Sequence, residues 1–294
     1  SQQPQTFSVL AGSNTSFSFS AEGKYLSYQW KKNGSILTSE TNATLTITDA
    51  NANLHDGNYS VLVSNEFGSV ESNTSEFLVI NPNAISQGLV GWWPLDMNAS
   101  DMSGNGNDGT INGAISEMDR RGISGRAYYL DGVDDQINLG NSSILNPTNA
   151  MTLSVWFNIE AWKRSPIIER YGVWSGQMSY VLKSFDYSVK KLKFRAYGAG
   201  NTQILSITSS ELQLNTFYHA AVTYDSNKEA CLFLNGVLQS RKNVSTQIQS
   251  TQSDTTLGGY TFSGVKYFHG IIDDVRIYDR ALSAAEVQAL YNLG

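Results

Sequence analysis

Apolar residues recur at every second position in this chain, in short runs broken by turn formers. Such runs include TLTIT (44–48), YSVLVS (59–64), TLSVWFNI (152–159) and KLKFRAY (191–197). A period of two sends successive side chains to opposite faces of a strand. Gly, Asn and Ser between the runs supply the turns. The helical period of 3.6 is almost absent. Many short strands separated by turn residues fold as a sandwich or barrel, so an all-β protein is expected. One helix is expected, from Ser283 to about Tyr291. Ser283 and Glu286 form a capping box, and Val287, Leu290 and Tyr291 share a face that should pack on a sandwich edge.

Composition narrows the function classes. Apolar residues are 40% and aromatics 11%, while charged residues are only 16%, against roughly 25% in an ordinary domain. Few charges with many aromatics exclude bulk disorder. The net charge of −6 leaves no basic surplus for phosphates, so nucleic acid is not an expected partner. The longest apolar stretch, GLVGWWPL (88–95), is far short of the roughly 18 residues of a spanning helix, so membrane insertion is not expected. Cys231 is the sole cysteine, which rules out an internal disulfide and an all-cysteine zinc site. Its alternation with Phe233 reads as a buried, inert thiol. A first residue of Ser rather than Met reads as a processed form or a piece cut from something larger.

A seam at NPNAISQG (81–88) carries Pro82, Gly88 and no alternation. It divides the chain into residues 1–82, a linker at 83–88, and residues 89–294. The first module contains YQWKKNG (28–34), ATLTITDA (43–50) and HDGNYSVLVSNEFGSV (55–70). It resembles an immunoglobulin-like domain of bacterial surface and secreted proteins. That resemblance makes Trp30 the buried tryptophan of the third strand and Tyr59 the tyrosine corner. Phe19 and Val61 stand at the usual disulfide positions, so apolar packing must replace the bridge. The corner departs from the pattern, with His55 where Asp is usual and Asp56 beside it. No aromatic or charged constellation marks its loops, so a spacer is expected.

The second module contains LVGWWPLD, DMSGNGNDG (101–109), YYLDGVDDQINL (128–139), TFYHAAVTYD (216–225), LFLNGVL (232–238) and GIIDDVRIYDRALSAAEVQALY (270–291). In order and content these resemble a laminin-G-like, concanavalin A-type jelly roll. The expected fold is therefore all-β: an immunoglobulin-like sandwich, then a concanavalin A-like sandwich with a short C-terminal helix.

Oxygen-bearing residues recur at Asp101, Ser103, Asn105 and Asn107, around Gly106. Alternate oxygens on a glycine turn suit a hard cation such as Ca²⁺; a metal-free Asn/Gly turn is the alternative. Alternation sets Asp135 on the face of Ile137 and Leu139, and Asp273 on that of Val275 and Ile277. Inward carboxylates need a cation or dense hydrogen bonding, with Arg276 and Arg280 as other partners. The resemblance implies structural calcium near the strand ends. The expected ligands are Asp101, Asn105, Asn107, Asp131, Asp135 and Asp273.

Catalysis is not expected. The two-carboxylate chemistry of glycosidases would follow an E-x-D-x-x-E strand motif in this fold family, and EMDRRG (117–122) breaks it at Gly122. His55, His219 and His269 are scattered, and no nucleophile elbow occurs. His219 reads as a packed structural residue. Sugars stack on exposed aromatic faces, which points to Trp162, Arg170, Tyr171 and Trp174 in AWKRSPIIERYGVWSGQMSY (161–180). Lys191, Lys193, Arg195 and Tyr197 form a polar strip that could meet an anionic polysaccharide, although a solvated strand face would look the same. The sequence therefore points to a monomeric, non-catalytic carbohydrate-binding or adhesion fragment of a larger secreted or surface-attached bacterial protein. A protein-binding adhesion fragment is the alternative, and a polysaccharide-degrading domain the weaker one.

Overall fold

The structure is a computed structural model, and it describes residues 7–171, 177–184, 189–259 and 267–294. The chain folds as two compact units, Ser1–Gln87 together with Ser283–Gly294, and Gly88–Leu282. Both are built of strands, as the period-two runs require.

Among the described residues, the first unit has a six-stranded sheet and a two-stranded one. The larger runs Phe7–Leu10, Ser75–Ile80, Gly57–Asn65, Ser27–Lys32 and Ser35–Ile36, with Gly68–Glu71 also paired to Gly57–Asn65. Phe7–Leu10 lies parallel to Ser75–Ile80. The smaller sheet pairs Thr15–Ser18 with Thr44–Ile47. Phe17, Phe19, Trp30, Tyr59, Val61 and Phe77 share one buried cluster. The Phe17 and Tyr59 rings stack at 4.9 Å. The Trp30 indole N–H donates to the Asn42 carbonyl at 2.9 Å. The Tyr59 hydroxyl donates back to the His55 carbonyl at 2.8 Å, and Asp56 accepts from the Val79 amide at 2.6 Å.

The C-terminal helix, Ala284–Leu293, carries the expected capping box. The sequence places it with residues 89–294, but it belongs to the first unit. Ser8 Oγ donates to the Ala285 carbonyl at 2.6 Å, and the Asn292 amide donates to the Ser8 carbonyl. Three buried apolar residues, Val287, Ala289 and Leu290, say that such a helix docks but not on what.

In the second unit, the described residues form a seven-stranded and an eight-stranded sheet. The seven-stranded sheet runs Thr110–Asn112, Gln136–Asn138, Thr255–Leu257, Pro166–Tyr171, Met178–Ser184, Lys191–Gly198 and Thr202–Glu211. The eight-stranded sheet includes Leu89–Trp93, Ser124–Asp131, His269–Tyr278, Ala150–Ile159 and Phe217–Asp225. One core joins the two sheets, with Trp93, Val155, Phe157, Val222, Val275 and Ile277 from the second meeting Ile137, Ile168, Leu182 and Phe194 from the first. Cys231 is buried, as expected.

Candidate functional site

Strand register writes the seven-stranded sheet as alternating rows. Ile137, Leu257, Ile168, Leu182, Phe194 and Ile207 are paired in succession across six strands, and all lie in the core. The next row, Asn138, Thr256, Glu169, Val181, Arg195 and Ser206, is paired in the same order. A pleat alternates faces, so this polar row points away from the core. One step along, Lys183, Lys193 and Thr208 share that outer face.

Glu169 sits mid-row and is only 6% exposed. Among the described residues its carboxylate has no hydrogen-bonding partner. Burial drives its carboxyl well above the usual range, with only the Lys183 charge opposing. On the same face, Arg195 Nε and Gln136 Oε1 are buried without a hydrogen-bond partner. Lys183 is pulled down to about 8, first by burial, then by the charges of Arg195 and Arg164. Lys193 is lowered for the same reasons. Two buried polar atoms of this face, Arg195 Nε and Gln136 Oε1, are thus left without a hydrogen-bond partner among the described residues.

Most residues expected to bind sugar lie elsewhere. Trp162 is 5% exposed and packs in the core, so it offers no stacking face. Arg170 has the parity of Ile168 and points inward, fully buried. Its guanidinium donates to the carbonyls of Asn141, Ser142 and Thr251 at 3.0–3.1 Å and to Thr255 Oγ1 at 3.0 Å. It ties strand ends together instead of reading a ligand. Tyr197 follows a bulge and is buried. Tyr171 is half-buried at a strand end, and Trp174 lies outside the described residues. The sequence missed Glu169 and Lys183. Their signal is the alternation of IIER and VLKS with core residues, which already aims both outward.

The expected calcium ligands separate into three places. Asp101 Oδ1 accepts from the Trp92 and Ser103 amides at 3.0 and 2.9 Å, and Oδ2 from the Asn107 amide at 2.9 Å. Burial would raise its carboxyl, but hydrogen bonds from Ser103, Trp92 and Asn107 outweigh that and hold it below the usual range. The Asn105 and Asn107 side-chain amides donate to the Val90 carbonyl at 3.3 and 3.1 Å. This loop is satisfied as a turn: both Asp101 oxygens are spent on it, and the Asn105 and Asn107 side chains are held by their amide nitrogens.

Asp273 is only 2% exposed but faces away from the core. An extra residue in its strand, between the partners of Ser154 and Trp156, makes a bulge at Asp274, whose φ is +43°. The bulge reverses the parity read from IIDDVRIY. Asp273 pairs with Arg120, and Asp274 with Arg276 at 3.0 Å and the Trp92 indole at 2.8 Å. Arg120 lies over the Trp156 ring at 4.6 Å. His219, 1% exposed, hydrogen-bonds Ser154 Oγ through Nε2 at 2.8 Å, which agrees with a structural role. Asp119 of the broken EMDRRG motif accepts from the Arg121 and Ile123 amides at 2.9 and 2.8 Å, a turn contact.

Asp131 and Asp135 do come together, joined by Asp134, with one carboxylate oxygen of each within 4.8 Å of the others. Burial, then the charges of Asp131 and Asp134, raise the Asp135 carboxyl against a backbone hydrogen bond from Asp131. A divalent cation would reverse that penalty, so the donor set fits Ca²⁺ chemically.

A family model described as the concanavalin A-like lectin/glucanases superfamily matches residues 131–288, more than half of the chain. The chain belongs to that superfamily. No curated protein matches it. Among solved structures, this superfamily member is similar to the binding domain of Paraclostridial Mosquitocidal Protein 1. There the identity is 17%, with 71% of this chain and 53% of that one covered, at a TM-score of 0.58. It is also similar to domain 4 of AbnA, an extracellular arabinanase from Geobacillus stearothermophilus solved with arabinotriose. Here identity is 19%, coverage 69% and 98%, and the TM-score 0.54. The binding domain of Botulinum neurotoxin DC, solved with SialylT, is 16% identical over 71% of this chain and 52% of that one, at 0.56. The chain spans about half the length of the two toxin binding domains. At such identities the likeness establishes the fold. Among the described residues, no helix is long and apolar enough to cross a membrane.

Proposed function

We propose that the second unit is a non-catalytic carbohydrate-binding module of a secreted or surface-attached bacterial protein, and that it takes a polysaccharide or glycan on the outer face of the seven-stranded sheet. The first unit is proposed as an immunoglobulin-like spacer, supported by buried Trp30 and the Tyr59–His55 bond. The observation that carries the binding reading is Glu169: a carboxylate 6% exposed, outward-facing and without a hydrogen-bonding partner among the described residues. Gln136 Oε1 and Arg195 Nε on the same face are buried without a hydrogen-bond partner; a buried polar group left unpaired costs roughly 1–3 kcal/mol, and sugar hydroxyls are suited to supply the missing bonds. Arabinotriose and SialylT on the two related structures support the same class of ligand. The basic strip beside Glu169 favours an acidic glycan within that class.

Isothermal titration of the full chain against a polysaccharide panel tests this. At least one saccharide should bind, and Glu169→Ala should weaken it at least tenfold. Binding by no member of a broad panel would sink the reading.

A structural Ca²⁺ ion is proposed at Asp131, Asp134 and Asp135 only. A cation binding the folded state alone at about 100 times its Kd adds about 2.7 kcal/mol, or about 5–10 °C for a unit of this size. Excess EDTA should lower the second unit's unfolding midpoint by that amount, and Asp135→Asn should abolish the difference. An unchanged midpoint in EDTA removes the site.

A further inference from the structure

The outer face of the seven-stranded sheet sets three cationic side chains close together. Lys183 pairs in register directly opposite Lys193, and Arg195 pairs with Val181, two residues from Lys183 on the same face. Like charges directly opposite each other on a sheet are destabilising. Glu169 is the one carboxylate in the polar row, and its burial disfavours the charged form that would balance these cations. Among the described residues Lys183 makes no ion pair, and Arg195 Nε is buried without a hydrogen-bond partner. Burial and neighbouring cations already work against the Lys183 charge. This cluster of cations occurs in a chain whose net charge is −6.

We infer that Lys183 and Arg195, with Lys193 beside them, form a subsite for the anionic group of an acidic saccharide, while Glu169 and Gln136 receive the hydroxyls of the sugar that carries it. This rests on the carbohydrate reading above and specifies its ligand. An anion between Lys183 and Arg195 removes the repulsion and occupies the unpaired Nε, and each such charge-assisted bond is stronger than a neutral one. A uronate carboxylate and a sugar sulfate share this chemistry.

The test titrates the full chain with polygalacturonate, its fully methyl-esterified form, a sulfated galactan and a neutral galactan, for the wild type, Lys183→Gln and Arg195→Gln. Polygalacturonate or the sulfated galactan should bind at least tenfold more tightly than its neutral counterpart. The arm that binds identifies carboxylate or sulfate as the source. Each variant should lose about tenfold for the acidic ligand and change less than twofold for the neutral one. Lys183→Gln should keep or raise the ligand-free unfolding midpoint, which shows that loss of binding is not loss of fold. Neutral and acidic forms bound equally, or an acid preference unchanged in both variants, overturns the subsite and leaves the carbohydrate reading standing. Binding of none of the four saccharides overturns the subsite, whereas the carbohydrate reading itself falls only with the broad panel.

Discussion

Arg120→Met is expected to lower the stability of the second unit by about 3–5 kcal/mol at pH 8, and by much less at pH 5. Arg120 is the ion-pair partner of Asp273 and covers the Trp156 ring. Without it a carboxylate 2% exposed would lie beside Asp274 with no paired cation. Asp273 is already raised to about 7, first by burial, with the Arg120 charge opposing and Asp274 adding. Removing Arg120 lifts it further. As pH falls through that raised value, the folded variant takes up a proton that the unfolded chain, at its ordinary carboxylate value, does not yet bind. Stability is therefore recovered on the acid side. Urea unfolding at the two pH values reads this directly. The double change Arg120→Met with Asp273→Asn should restore most of the loss at pH 8, since the pair goes and no charge is stranded. An equal loss at both pH values would mean that Arg120 acts through packing alone.

His219 and Asp273 are expected to hide each other's effect on acid stability. Burial lowers His219 from 6.5 to about 3, with Asp274 opposing and the charges of Arg276 and Arg120 adding. A depressed histidine contributes stability present above pH 6.5 and lost as pH falls toward 3, at up to about 1.4 kcal/mol per pH unit. Asp273 has the opposite sign. Its raised value contributes stability that is full below about pH 4 and lost as pH rises through 7. Between pH 4 and 6.5 the two slopes oppose, and the wild type should be nearly flat. His219→Gln should unmask stability that falls with rising pH, and Asp273→Asn stability that falls with acid. Chemical denaturation from pH 4 to 7 measures both. Parallel profiles for wild type and both variants would defeat the account.

The alternation that made the fold legible also misplaced part of the site. The period-two runs and the capping box at Ser283 are local signals, and both elements formed as read. Asp135 beside Ile137 followed the same rule and is buried. Asp273 did not, because a bulge at Asp274 shifts parity by one, and nothing in IIDDVRIY marks which residue is extra. Arg170 is expected among the sugar-binding aromatics, but parity with Ile168 already sends it inward. The Asp101 loop satisfied the spacing of a calcium site, but its oxygens meet backbone amides that only the folded turn brings near. Glu169 and Lys183 were overlooked for a different reason. A lone carboxylate and a lone lysine become a site only when register sets them beside Arg195.

The return of residues 283–294 to the unit formed by residues 1–87 has a mechanical consequence. The second unit is topologically an insert between two segments of the first. Tension applied at residues 7 and 294 enters the first unit from both sides and is resisted by the helix and strand joined through Ser8, Ala285 and Asn292. Until that clasp peels apart, the seven-stranded sheet stays off the load path.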